Sequence, residues 1–282
     1  MPANGTATFH LSRAILFFIL IYSGTLYADN FRTRLNQIVS DKTTAEDTIA
    51  EIRFGKQVAA RILGRETLYD NPSLTRYINL VGKSLALQSS RNELDFHFAV
   101  LNKPYANAYS TPGGYVFITL GAIQQARDES ELAAVLAHEI AHISLRHIVK
   151  ELNIKGRDTS ALSGISRLLG AASDTTRVAL SQAVDKAVSI LFDKGYQMTE
   201  ELQADKIAAL LLAQTGYDPL ALQRYLERIH NSEDESHIRS KTHPASAERF
   251  QALTALADSE AFAQLHFPRL QERFEKNTRN SP

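Results

Sequence analysis

Residues 133–148, AAVLAHEIAHISLRHI, set three histidines and a glutamate into a run that otherwise reads as buried helix. Side chains four apart on a helix lie about 40° apart round the axis and about 6 Å along it. His138 and His142 therefore share a face and can converge on one ion. Glu139 stands beside the first of them, where its carboxylate reaches a water held by that ion. On one continuous helix His147 lies about 180° round from His138 and about 140° from His142, which keeps it out of the pair and makes it a structural histidine.

This H-E-x-x-H spacing is that of zinc hydrolases. Taken alone it also fits two core histidines donating to backbone carbonyls. The rest of the chain bears on the choice. It has no cysteine, which excludes disulfides, thiolate nucleophiles and cysteine-ligated metal. Any metal must rest on His, Asp and Glu. A catalytic zinc takes three protein ligands and keeps one position open. The stretch EELQAD, residues 200–205, offers the third, because Glu201 and Asp205 again stand four apart on one helical face. Glu201 can complete a His-His-Glu set, and Asp205 can accept from the remaining ring N–H of a ligand histidine. The ordinary alternative for these acids is a solvated helix N-terminus, which suits Glu200 better.

Thirty-one basic residues cancel 31 acidic ones, and no basic tract is present, so nucleic acid is not an expected partner. At the N-terminus Arg13 precedes the apolar run 14–22, followed by small residues and Ala28. That run is shorter than the roughly 20 residues of a membrane span, so residues 1–28 read as a secretory signal, with an uncleaved anchor as the alternative. No stable span is expected after cleavage, and without cysteine no lipoprotein anchor is available.

Hydrophobic periodicity places helices over 44–65 and from Pro72 onward, and alternation places a strand over 94–102 with His97 on its solvent side. Pro112-Gly113-Gly114 reads as a turn between two extended pieces, the second being Tyr115–Thr119. A single helix is expected from about Asp128 to Glu151. Residues 155–198 read as a helical insert and possible lid. Further helices follow over 198–216, with Thr199 as N-cap, over 218–229, and after THP at 242–244; the acidic HNSEDESH segment reads as a loop. The expected fold is mostly α with a small β-sheet (α+β), with 29–282 forming one domain.

HEIAH, then EELQAD after a long insert, then THP, together with DNPSLTRYINLVGKSLA and NAYSTPGGYVFITLGAI, resemble the gluzincin metallopeptidase family of the CAAX prenyl endopeptidases and HtpX proteases, most of all its soluble periplasmic BepA/LoiP-type members. The resemblance spans most of the chain after residue 28. It lacks the membrane helices of some members and the C-terminal tetratricopeptide array of others. It implies one Zn2+ held by His138, His142 and Glu201, with Asp205 behind them, Glu139 as general base, and His243 near the metal. His243 would be a fourth ligand, a transition-state stabiliser or a helix cap. The implied role is endopeptidase cleavage of unfolded or misassembled envelope proteins in the periplasm, with the envelope assembly machinery as a further partner. Apart from the resemblance, the 115–119 strand beside the turn reads either as an edge for an extended substrate or as an ordinary core strand. The competing function is a chaperone-like binding protein with a structural or vestigial zinc site.

Overall fold

Helix α1, Ala45–Leu63, begins where Thr44 accepts a hydrogen bond from the Asp47 amide at 3.1 Å. Its buried stripe Ala50, Phe54, Val58 and Ile62 keeps the four-residue spacing that aligns one face. Helix α2, Pro72–Ala86, starts behind the Asn71 side chain, which accepts from the Leu74 amide at 2.9 Å, with proline in the first turn where no donor is lost. The computed structural model describes residues 31–35, 37–38, 44–152, 165, 169, 174–231 and 242–278. The expected signal segment, most of the first half of the insert and most of the acidic loop lie outside the described residues.

Three short strands form one sheet: β1 (His97–Leu101), β2 (Ala108–Thr111) and β3 (Tyr115–Thr119), in the order β1-β3-β2. β1 runs parallel to β3, and β2 pairs antiparallel to it through the Pro112-Gly113-Gly114 turn, whose two glycines take φ of 77° and 102°. β3 is thus the central strand, with neighbours on both sides. The expectation that Tyr115–Thr119 offers a free edge is corrected: both its ladders are filled, and the edge on this side of the sheet belongs to β2.

Alternation sorts the strands' residues onto two faces. Phe98, Val100, Ala108, Val116 and Ile118 join α2, α4 (Glu129–Leu145) and α7 (Met198–Thr215) in the larger core. Leu101, Tyr109 and Phe117 face the other way and join α1, α5 (His147–Leu152) and α6 (Asp174–Ser189), which runs into a π-helical turn at Ile190–Lys194. His97 is exposed, as expected, and stacks on Tyr115. Between β3 and α4 lies the short α3 (Leu120–Gln125). The chain closes with α8 (Ala221–His230), α9 (Ala247–Ser259) and α10 (Gln271–Thr278).

Helix α4 carries the opening motif, and every one of its residues is buried. A helix buried all round belongs between layers, and α4 lies between the sheet, α2, α7 and α8. The expected single helix over 128–151 does not hold. Arg146 takes the left-handed conformation (φ 55°, ψ 39°), ends α4, and lets His147 start α5 in a new direction. A non-glycine residue there costs about 1–2 kcal/mol. Glu51 accepts from Arg146 Nε at 3.2 Å and is itself gripped by both terminal nitrogens of Arg91 at 3.1 Å. The start of α7 also differs by two residues: Gln197, not Thr199, caps it, and Glu200 accepts from the Gln197 amide at 3.0 Å.

Candidate metal centre

Helices α4 and α7 lie against each other, and each delivers its four-spaced pair to the shared seam. From α4 come His138 and His142, and from α7 come Glu201 and Asp205. A fifth group, His243, enters from the segment before α9. The His138 and His142 Nε2 atoms are 3.0 Å apart, and Glu201 places one oxygen 3.5 Å from His138 Nε2 and the other 3.4 Å from His142 Nε2. His243 Nδ1 stands 2.9 Å from Glu201 Oε1 and 3.3 Å from His138 Nε2. Four donor atoms thus lie within 4.8 Å of one another.

The chemistry and spacing of this set fit a divalent metal. Ligands about 2.0–2.1 Å from a tetrahedral ion lie roughly 3.3 Å from each other, close to the separations above. Three imidazole nitrogens and a carboxylate, with no thiolate, suit zinc among the common divalent ions. All four side chains are buried or nearly so.

The surroundings divide the histidines. Burial lowers His138, but Asp205, 3.0 Å from its Nδ1, and Glu201 outweigh it and lift the ring to about 9. Burial holds His142 well below its ordinary value, in the neutral form a metal needs. For Glu201 burial acts upward, and the charges of His243 and Arg249 reverse it and hold the carboxyl well below the usual range.

Glu139 lies outside the four-atom cluster. It is 1% exposed, with Oε1 3.7 Å from His243 Nε2 and Oε2 without a hydrogen-bond partner among the described residues. Glu139, His138 and His243 line a small pocket of about 50 Å³ whose apolar wall is Val135, Leu222, Tyr225, Leu226 and Ile229. A buried carboxylate beside a set that fits a metal, facing an apolar wall, can take a proton from a water in that pocket.

Three contributors, Arg249, Tyr196 and Asn107, went unread in the sequence, and His147 was read in the wrong place. Arg249 of α9 is fully buried and grips Asp205 with Nε and Nη2 at 2.7 and 2.6 Å while reaching Glu201 with Nη1 at 2.9 Å. Its one available sequence signal is an arginine in the first turn of an apolar helix just after THP. Tyr196 stacks on the His142 ring with centroids 4.0 Å apart. Asn107, at the mouth of β2, donates to Thr242 beside His243 at 3.2 Å. His147 meets His142 across the break at Arg146, with Nδ1 atoms 2.8 Å apart, so it does not point away as a continuous helix requires; burial lowers it to about 4.

Comparison with known proteins agrees with this arrangement. Residues 72–257 match the model of peptidase family M48. The chain is 33% identical over 207 residues to a β-barrel assembly-enhancing protease of Yersinia pestis, covering 69% of this chain and 41% of that protein. It is 30% identical over 209 residues to a putative β-barrel assembly-enhancing protease of Vibrio cholerae, covering 71% and 42%. The mitochondrial metalloendopeptidase OMA1 of Schizosaccharomyces pombe is 28% identical over 227 residues, covering 79% and 63%. The aligned part is about two fifths of the length of the bacterial relatives. With a metal-ligating cluster at the centre of the matched region, the chain belongs to peptidase family M48, a family of metallopeptidases.

Proposed function

We propose that the chain is a zinc-dependent endopeptidase acting on unfolded or misassembled proteins of the cell envelope. One observation carries the reading. His138, His142 and Glu201 converge on a point, while Glu139, one residue from the first ligand, stays out of the set and faces the pocket with an unpartnered oxygen. A purely structural metal has no use for that buried carboxylate, so a vestigial site in a chaperone-like protein is the weaker reading.

His138, His142 and Glu201 would hold the ion, with His243 as a fourth ligand or as the group meeting the developing oxyanion. When bound, the ion supplies Lewis acidity to carbonyl and water oxygens. Glu139 takes the proton of the attacking water and returns it to the leaving amine. His243, with Nε2 turned to Glu139, then stands where negative charge builds on the carbonyl oxygen. Arg249 and Asp205 hold Glu201 and His138 in place and need not touch the substrate.

The position of β2 supports the substrate class. β2 is the edge strand beside α4, and Asn107 C=O accepts from the Thr119 amide, so by antiparallel alternation Ser110 turns its main-chain groups away from β3. An extended chain pairing there is read through its backbone, as suits unfolded proteins. The names of the bacterial relatives support envelope β-barrel proteins as the source of such chains. Secretion to the periplasm rests on residues 1–28; among the described residues no helix is long and apolar enough to cross a membrane. The test is metal analysis with proteolysis of an unfolded envelope protein. A zinc-loaded wild type that leaves the substrate intact would overturn the reading.

A further inference from the structure

We propose that His147 is the positioning residue for the metal ligand His142: it accepts the proton of His142 Nδ1–H and thereby leaves Nε2 of that ring to face the metal. The inference rests on the metallopeptidase reading above. It assigns a role to a side chain that lies outside the cluster of donor atoms.

The two ligand histidines of α4 are supported differently. His138 turns Nε2 to the cluster and has the Asp205 carboxylate 3.0 Å from its Nδ1. His142 also turns Nε2 inward, toward Glu201 and His138. Among the described residues its Nδ1 faces no carboxylate. The group it meets is His147 Nδ1, at 2.8 Å, with the two rings nearly perpendicular at 73°. His147 is 2% exposed, so the contact is dry. Between two neutral imidazoles such a contact holds one proton, and it must sit on one of the two Nδ1 atoms. A proton on His142 Nδ1 leaves the Nε2 lone pair for the ion. The opposite placement puts the proton of His142 on Nε2, where it blocks ligation. Metal binding therefore selects His142 as donor and His147 as acceptor.

The backbone is arranged to make this contact. His147 reaches His142 because Arg146 is left-handed, and Glu51 and Arg91 hold Arg146 in that state from α1 and the loop before β1. Tyr196 stacks on the face of His142 and fixes the ring plane without choosing between its nitrogens. That choice is left to His147.

The test uses the full chain and reads metal binding directly. In zinc-loaded protein with ¹⁵N-labelled histidine, NMR should show His142 protonated at Nδ1 and metal-bound at Nε2. Competition with a chromophoric chelator should show His147→Phe, which keeps the ring volume and removes the acceptor, binding zinc about 10–100-fold more weakly. His147→Asn, whose amide oxygen takes the place of Nδ1, should restore affinity to within about threefold of wild type, a rescue that a packing role does not give. Wild-type affinity in His147→Phe, or equal loss in both variants, overturns the proposal. So does an unprotonated His142 Nδ1 in the wild type, a measurement that stands even where a variant does not fold. A wild type that binds no zinc at all overturns the metallopeptidase reading and this inference with it.

Discussion

Glu139 and His138 differ in what surrounds them, and each yields a prediction. Glu139 keeps one buried oxygen unpaired beside the metal set. Glu139→Gln keeps the shape and removes the base, so zinc content should stay at wild-type level while cleavage of an unfolded substrate falls by about 10²–10⁴-fold. Equal cleavage by the two proteins would reject Glu139 as the base. His138 is lifted to about 9 by Asp205 and Glu201 despite its burial. Its Nε2 must be free of a proton to bind metal. Zinc affinity should therefore rise with pH through neutrality, approaching tenfold per unit below about pH 9, with roughly one proton released on binding from this group. Calorimetry in buffers of different ionisation enthalpy reads that proton. In metal-free protein the sign reverses: the raised value stabilises the fold fully below about pH 6.5, and that stability is lost as pH rises through about 9.

Two elements place the site, and both depend on close backbone approaches. α1 crosses the hairpin turn so tightly that a Cβ on Gly55 would lie 1.6 Å from the Pro112 carbonyl oxygen. Gly55→Ala must push α1 and the β2–β3 turn apart, and should cost on the order of 3 kcal/mol, read as a shift in the urea midpoint. An unshifted midpoint would show that this contact does not constrain the hairpin. The same hairpin sets which strand ends the sheet on the side of α4, where the residues of β2 are all buried. Alternation in the sequence marked Tyr115–Thr119 as a strand, which it is, but pairing order is a property of three segments together, and it places β2 outermost. Ser110→Pro should thus weaken binding of an extended peptide while zinc stays bound; unchanged affinity in a peptide titration would remove β2 as the docking edge.

Across the molecule, the C-terminal helices clasp α4 and α7 through charge, buried at Arg249 and half exposed at Arg273. Arg249 of α9 grips Asp205 and Glu201, and Arg273 of α10 pairs with Glu129 at the start of α4, where the Tyr77 and Tyr217 hydroxyls also donate. Removing one member of a buried pair strands the other. Arg249→Met should destabilise the metal-free protein by about 3–5 kcal/mol, because two carboxylates lose their countercharge at once. Added zinc should recover part of this, since the ion compensates Glu201. A melting temperature equal to that of the wild type without metal would show that the arginine is not what holds these acids in place.

The pairing of the candidate site residues was legible from local spacing. Local spacing on α4 and α7 pairs His138 with His142 and Glu201 with Asp205, because helical geometry fixes which neighbours share a face. It likewise marked most helices, the Pro-Gly-Gly turn, and Glu200 as a helix-start residue. Whatever joins distant segments was not legible, because it depends on how the elements pack. Helix periodicity assumes right-handed dihedrals throughout, so it carries no sign that Arg146 is left-handed and turns His147 back onto His142; that state is held by Glu51, 95 residues earlier. Arg249 reads as a surface charge until α9 docks and buries it against two acids. The order of the strands, and with it which strand is outermost, follows from how the hairpin packs between α1 and α4. Ligand pairs on one helix are short-range geometry, whereas the groups that orient them come from other elements and meet only when the layers close.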